Sequence, residues 1–197
     1  MDAQLLKAAL ARWADAMKKA AAELNELDRR LGDGDLGATL ERCATNIEQA
    51  LPAMPDSLEA VFRGAAQACA KASGSSFGTL LAAAFLGSAK WVPPRETLSP
   101  HQIAELLSLC VTQLAARGGA SLGDKTMLDS LDAIARALEQ APLTADARAV
   151  AVHSARQALD DYRGRPNKVG RARMFADRSV GLDDPGMVAV LRMAEAI

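Results

Sequence analysis

The chain has 197 residues, of which 50% are hydrophobic and 4% are aromatic, and its formal net charge at pH 7 is −1. This length suits one domain with a full core, and the hydrophobic content excludes a disordered chain. A chain so close to neutrality, with no long basic run, is not expected to bind nucleic acid. The apolar residues are mostly Ala and Leu, which favours helices over a β-sandwich.

Cysteine usage and apolar run lengths indicate the compartment. Cys43, Cys69 and Cys110 are scattered over segments with helical patterning, as expected of small buried hydrophobes in a reducing environment. The sequence starts without a basic-then-apolar leader, and its longest apolar run, residues 79–86, is far shorter than a membrane span. We therefore expect a cytoplasmic protein that does not contact a membrane.

Apolar residues recur every three to four positions along most of the chain, which predicts eight helices. Proline, glycine and polar caps set their boundaries. Helices 1 to 4 are expected over about 3–30, from the following acidic stretch to before Pro52, from residue 56 or 57 through Cys69, and over about 76–90. Helices 5 to 8 are expected from Pro100 to Gly118-Gly119, from near Lys125 to Pro142, from a Thr144 cap to about Arg163, and from Asp184-Pro185 onward.

The sequence has no convincing strand pattern, since the nearest candidate, residues 175–180, is short and charged. Eight helices with short links predict an all-α fold, an eight-helix antiparallel up-and-down barrel or bundle, as a single domain over residues 1–197. In that arrangement the connections after helices 1, 3, 5 and 7 lie at one end. These are the glycine-rich connections, so the candidate functional loops are predicted to lie together.

The connection after helix 1 is the most informative stretch of the sequence. Asp28, Asp33 and Asp35 lie there among three glycines, Gly32, Gly34 and Gly37. Crowded carboxylates repel one another unless a cation lies between them, and glycines allow positive φ. The stretch therefore predicts a divalent metal site, with a solvated acidic turn as the plainer alternative. Its G-x-G-x-x-G spacing follows a helix instead of a strand, which argues against a dinucleotide fingerprint.

The other glycine-rich connections carry features of anion binding. Gly74-Ser75-Ser76 opens helix 4, where N–H groups and hydroxyls can meet a phosphate, although a plain serine cap is the alternative. Residues 119–126 resemble a P-loop, but Asp124 interrupts the glycine–lysine pair. Arg171 could face phosphates, and Asp184-Pro185-Gly186 could be a helix cap. Three aspartates with a nucleotide diphosphate would suit magnesium, which takes few carboxylate ligands.

These motifs resemble, in order, those of the L subunit of dihydroxyacetone kinase, a module that also forms the nucleotide-binding domain of single-chain dihydroxyacetone kinases. The matching motifs are Asp28-x4-Gly32-Asp33-Gly34-Asp35-x-Gly37, Gly74-Ser75-Ser76, Gly123-Asp124-Lys125-Thr126-Met127, Gly170-Arg171 and Asp184-Pro185-Gly186. The resemblance implies an eight-helix barrel that binds ADP or ATP at one end, with two Mg²⁺ ions bridging the aspartates and the phosphates.

The resemblance also implies roles for individual positions. Asp28, Asp33 and Asp35 match the metal aspartates and Arg171 matches the phosphate-side arginine, so these four are the implied catalytic residues. The implied nucleotide contacts are Leu36, Gly37, Ala38, Thr39, Ser75, Ser76, Gly118, Met127, Arg171, Asp184, Pro185 and Gly186. Leu36 stands where many members carry histidine or threonine, so a side-chain contact at this position is not implied.

The function implied by the resemblance is that of half an enzyme. The chain would be the nucleotide-binding subunit of a short-chain ketose kinase, and a separate K-type subunit would hold the sugar. The phosphoryl donor would be ATP or a phosphohistidine protein of the sugar phosphotransferase system, and a homodimer is left open. A non-catalytic Mg-nucleotide regulatory module and a fatty-acid-kinase-like phosphotransfer domain are the alternative functions.

Overall fold

The structure, a computed structural model, describes residues 1–72 and 75–197, so Gly74 of the predicted phosphate loop lies outside the described residues. Its α-helices are α1 (Ala3–Leu31), α2 (Leu36–Ala50), α3 (Leu58–Lys71), α4 (Ser76–Trp91), α5 (Pro100–Gly118), α6 (Met127–Gln140), α7 (Ala147–Arg163) and α8 (Pro185–Ala196). Two 3-10 helices span Leu51–Ala53 and Ala172–Ser179. The described residues form no strand, which confirms the all-α prediction.

Each α-helix packs against the next one along the chain, and α8 packs back against α1. The eight helices therefore close into the up-and-down barrel that the periodicity predicts. One continuous apolar core lies inside the barrel, and α1 contributes many of its side chains. The largest fully buried apolar side chains are those of Met17, Leu24, Leu31, Leu40, Ile47, Leu58, Val61, Val92, Leu98, Leu114 and Met187.

Helix α6 starts close to the predicted position, whereas the start of α7 differs from the prediction. Helix α6 begins at Met127 with Thr126 as its N-cap, and α7 is capped by Asp146 instead of Thr144. The Asp146 carboxylate accepts hydrogen bonds from two backbone N–H groups of the first turn of α7. A carboxylate that satisfies two free donors is a stronger cap than a hydroxyl two residues earlier.

The glycines between α1 and α2 serve two different purposes. Gly34 has a φ of +77°, which a side chain would disfavour, whereas Gly32 is extended with a φ of −157°. Gly37 lies in the first turn of α2 against α1, where a Cβ atom would lie 1.9 Å from the carbonyl oxygen of Ala21. The expectation of positive φ therefore holds for Gly34 alone among the three, and Gly37 is required for close helix packing.

Among the described residues, no helix is both long enough and apolar enough to cross a membrane. Cys43, Cys69 and Cys110 are all buried and free, as the sequence predicts. Burial raises the pKa of the Cys110 thiol, so this side chain behaves as a small apolar group in the core.

We expect the substitution Gly37→Ala to destabilise the fold by about 2–3 kcal/mol, because its methyl group would force α1 and α2 apart. Urea unfolding followed by circular dichroism measures this change. Gly164→Ala is the matched control: its φ is −76°, and a Cβ there meets no described atom within 4 Å. The control should change the free energy of unfolding by less than about 0.5 kcal/mol. Equal midpoints for Gly37→Ala and the wild type would contradict the packing argument.

Candidate functional site

A cavity of about 280 Å³ opens at the end of the barrel where α1 ends and α2, α4, α6 and α8 begin. Its wall is built from the connections that follow α1, α3, α5 and α7, which confirms that the glycine-rich connections lie together. Most of the predicted site residues line it, namely Asp28, Asp33, Asp35, Leu36, Ser75, Ser76, Met127, Arg171, Asp184, Pro185 and Gly186.

Gly118 lines an adjoining cavity of about 540 Å³, which shares Ser75, Ser76 and Met127 with the first. Because the two cavities share part of their walls, they lie side by side in one region at this end of the barrel. This region is large enough for a ligand of nucleotide size.

Three predicted nucleotide contacts, Gly37, Ala38 and Thr39, lie outside the described wall of both cavities. Gly37 is occupied by packing against α1, and the fully buried Thr39 accepts a hydrogen bond through its hydroxyl from Arg42 at 3.1 Å. Gly37 and Ala38 thus hold α2 against α1, whereas the Thr39 hydroxyl is bonded within α2. Their contact with a nucleotide stays a prediction.

The acidic loop, residues 28–35, brings its three aspartates together. One carboxylate oxygen from each of Asp28, Asp33 and Asp35 lies within 4.8 Å of the other two. Asp28 and Asp35 are half-buried and Asp33 is exposed. Three negative charges at such distances repel strongly unless cations compensate them, and carboxylate oxygens are ligands that magnesium prefers. The arrangement therefore fits a divalent metal ion.

Side chains of α1 cap the N-terminus of α2, so the Asp35 carboxylate is not used as a cap. Asp28 accepts hydrogen bonds through Oδ2 from the backbone N–H groups of Asp35 at 2.9 Å and Leu36 at 3.3 Å, and Asn25 accepts one from Ala38 at 3.0 Å. Asp35 occupies the N-cap position, yet within α2, all of which is described, its side chain accepts no capping hydrogen bond. Side chains of α1 accept these hydrogen bonds in place of the N-cap side chain, so the Asp35 carboxylate is free of capping bonds and can contact a ligand.

Arg171 reaches the acidic loop from the opposite wall of the cavity. It lies in the α7–α8 connection, residues 164–184, and its guanidinium donates a hydrogen bond to Asp33. The Arg171 and Asp33 side chains are 62% and 40% exposed, so the pair contributes little to stability. A positive charge is therefore held at the acidic loop by a contact that is easily exchanged.

The part of the cavity wall that is formed by helix N-termini favours anions. Helices α4, α6 and α8 begin there, with Ser75, Thr126 and Asp184 as their N-caps. The first turn of a helix presents free N–H groups and the positive end of the helix dipole. Such helix ends bind phosphate readily. The cavity wall thus combines carboxylates, which suit cations, with helix N-termini, which suit anions.

Asp184 is a buried cap and not part of the acidic loop. It accepts hydrogen bonds from the N–H of Met187 at 2.9 Å and from the side-chain amide of Asn167 at 2.8 Å. Burial raises its pKa from 3.8 to about 6, and the hydrogen bonds together with the Lys125 charge offset only part of the rise. The carboxyl group therefore fixes the start of α8, while Pro185 and Gly186 complete the cavity wall.

The sequence prediction missed Asn25, Asn167 and the structural part of Lys125. Asn25 lies one helical turn before Asp28 on the same face of α1, and this spacing is the one signal that could have found it. Lys125 is buried and donates hydrogen bonds to the backbone carbonyls of Arg163, Arg165 and Ser179. These partners lie 38 to 54 positions along the chain, so no local pattern indicates them.

We expect Asp184 to reduce stability as the pH rises from about 4 to about 6. In this window the folded chain keeps a proton on Asp184 that the unfolded chain has lost, so deprotonation favours unfolding. Asp184→Asn should remove this contribution, worth up to about 3 kcal/mol. Urea unfolding of both proteins at several pH values between 4 and 7 measures it. The exposed Asp161→Asn is the control, and identical pH dependence in wild type and Asp184→Asn would contradict the assignment.

Comparisons with known proteins show the family of the chain. The family model of the DAK2 domain matches residues 30–197. The ADP-binding subunit DhaL of PEP-dependent dihydroxyacetone kinase 1 from Listeria innocua is 31% identical over 164 residues, which cover 83% of this chain and 79% of the relative. The corresponding Escherichia coli subunit is 26% identical over 95% of this chain and 92% of its own length.

Longer proteins match over part of their length. The L-erythrulose 1-kinase of Mycolicibacterium smegmatis is 28% identical over 89% of this chain and 32% of its own length. The crystal structure of the C. freundii dihydroxyacetone kinase has the same fold, with a TM-score of 0.80 and 22% identity over the whole chain and 34% of that protein. Its complex with AMP-PNP and Mg²⁺ gives a TM-score of 0.78 at 23% identity, again over the whole chain and 34% of that protein. The chain belongs to the DAK2 domain family.

Proposed function

We propose that this chain binds ADP or ATP with magnesium in the cavity and is the nucleotide-binding part of a dihydroxyacetone-type, short-chain ketose kinase. The observation that carries the proposal is the acidic loop, whose three carboxylate oxygens lie within 4.8 Å of one another in a cavity whose wall also includes the N-termini of α4, α6 and α8. The Listeria and E. coli relatives, both named as ADP-binding subunits, support it.

Asp28, Asp33 and Asp35 would hold the magnesium, and we propose two ions, as the family resemblance implies. Asp35 suits the role of a metal ligand because its carboxylate accepts no capping hydrogen bond. Asp28 already has a fixed position through its hydrogen bonds to the start of α2. Bound magnesium supplies positive charge that neutralises the phosphate oxygens during transfer.

The chain's own residues would orient the nucleotide. Arg171 would exchange Asp33 for a phosphate, because phosphate offers the guanidinium the same paired acceptor geometry. The N–H groups at the start of α4, beside Ser75 and Ser76, would donate to phosphate oxygens. Gly118 and Met127 would lie near the base. The apolar wall formed by Leu31, Phe77 and Leu80 would exclude water from the reacting phosphate.

The sugar would be presented by a separate K-type subunit that docks at this end of the barrel. Three large apolar side chains are exposed on the connections that border the cavity, namely those of Leu122, Met174 and Val180. Exposed apolar groups around a functional opening are typical of a protein interface. The partner would place a ketose hydroxyl in line with the phosphoryl group, so positioning and charge neutralisation would provide the catalysis.

We expect Asp33→Ala and Asp35→Ala to lower the affinity for Mg-ADP by about tenfold or more, because each substitution removes a metal ligand. Isothermal calorimetry should be run with magnesium and with EDTA. The wild-type affinity should fall in EDTA, and the variants should bind equally weakly in both buffers. Asp15→Ala, which removes an exposed aspartate from α1, is the control for loss of charge. Unchanged Mg-ADP affinity in both site variants would disprove the metal assignment.

We expect phosphorylation of a ketose only when a K-type subunit from the same organism is present. The assay has two donor arms, ATP alone and phosphoenolpyruvate with the phosphotransferase proteins, and two acceptors, dihydroxyacetone and L-erythrulose. Product formation in either donor arm supports the kinase function and identifies the donor. Binding of Mg-ADP without product in any arm would instead favour a regulatory module.

A further inference from the structure

The buried lysine of the α5–α6 connection is the feature that the proposed function leaves unused. Lys125 is 1% exposed and its backbone has a φ of +63°, a conformation that is uncommon for a residue with a side chain. Burying an ammonium group is costly unless its donors are satisfied. Burial lowers the Lys125 pKa, and the nearby Asp184 and Asp183 carboxylates counteract the shift.

The Lys125 ammonium group joins both ends of one irregular segment. It donates to the carbonyl oxygens of Arg163 at 3.3 Å, Arg165 at 2.8 Å and Ser179 at 3.0 Å. Arg163 ends α7, and Ser179 ends the 3-10 helix of the α7–α8 connection. The lysine therefore closes the connection into a loop whose ends meet at one ammonium group.

Asn167 adds a second set of bonds between the same elements. Its side-chain amide donates to the Lys125 carbonyl at 2.9 Å and to Asp184 at 2.8 Å, and its backbone N–H donates to the Ser179 hydroxyl at 2.9 Å. These bonds lie inside the protein. The loop that precedes α6 is thus tied to the connection that carries Arg171, and that connection is itself tied to the N-cap of α8.

The lysine is not placed to contact a phosphate directly. Its position before Thr126 is that of a P-loop lysine in sequence, but all three donors of its ammonium group face backbone carbonyls. Holding a connection of about 20 residues in one conformation costs considerable chain entropy. The hydrogen bonds of Lys125 offset part of that cost. The ordered connection in turn supplies Val169, Gly170 and Arg171 to the cavity wall.

We propose that Lys125 is a positioning residue for nucleotide binding, which acts through the carbonyls of Arg163, Arg165 and Ser179 to hold Arg171 over the cavity. The proposal rests on the proposed function, since it concerns affinity for Mg-ADP. If the lysine merely stabilised the fold, its removal would lower the free energy of unfolding without any coupling to Arg171 in the affinity for Mg-ADP. A positioning lysine must be coupled to it.

The test is a double-mutant cycle on Mg-ADP affinity, measured by calorimetry. Lys125→Met keeps the length of the side chain and removes its charge and donors. We expect about tenfold weaker binding in Lys125→Met, in Arg171→Ala and in the double variant alike. Either single substitution already removes the contact of Arg171 with the nucleotide, so the second substitution has no further effect. Lys168→Met, which removes an exposed lysine from the same connection, should stay within about twofold of wild type.

The outcomes separate this proposal from the proposed function. If the wild type bound no Mg-ADP, the function itself would fail. If it bound and the two losses multiplied to about a hundredfold, or if Lys125→Met bound like wild type, only the positioning part would be overturned. Should Lys125→Met not fold, Asn167→Ala tests the same coupling to Arg171 with a milder change.

Hydrogen exchange on the nucleotide-free proteins gives a second measurement. Amides of residues 164–184 should lose protection in Lys125→Met, while those of α1 and α2 keep theirs. Gly181 is a suitable reporter because its N–H donates to the Arg163 carbonyl at 2.8 Å. Equal protection of the connection in the variant and the wild type would overturn the positioning role.

Discussion

The mutual repulsion of three carboxylates is the constraint on which this end of the barrel depends. The acidic loop holds one oxygen each of Asp28, Asp33 and Asp35 within 4.8 Å of the others. The backbone of the loop is fixed by α1, through the capping of α2 by Asn25 and Asp28, and Arg171 compensates part of the charge at Asp33. The close contact at Gly37 keeps the two helices together beneath the loop.

Most of the fold could be predicted from the sequence because helical periodicity and strong stop signals agree along the chain. Pro100 with the Ser99 cap, and Pro185 with the Asp184 cap, start their helices where predicted. The prediction was less accurate where two caps compete within a few residues, as with Thr144 and Asp146. Such competition is decided by individual hydrogen bonds, which composition and spacing do not reveal.

Part of the candidate site could likewise be predicted from the sequence and part could not. The acidic loop and the serines at the start of α4 are local motifs, and the barrel topology alone brings them to one end. Asn167 and Lys125 could not be predicted, because their partners come from distant parts of the chain and their chemistry is backbone hydrogen bonding. Asp184 combines the two cases. Its position as a helix cap can be predicted from the sequence, whereas its burial and its raised pKa of about 6 depend on the residues packed around it.

The contact between Arg171 and Asp33 has a consequence for how the cavity changes between its states. The guanidinium provides the acidic loop with a counter-ion that is tethered to the protein and exposed to solvent. A cation that took over at Asp33 would add its charge to the site, because the released guanidinium would remain beside the opening. The acidic loop would then change from net negative towards neutral, and the freed guanidinium would be available to an anion, so cation binding and anion binding would be linked through one carboxylate.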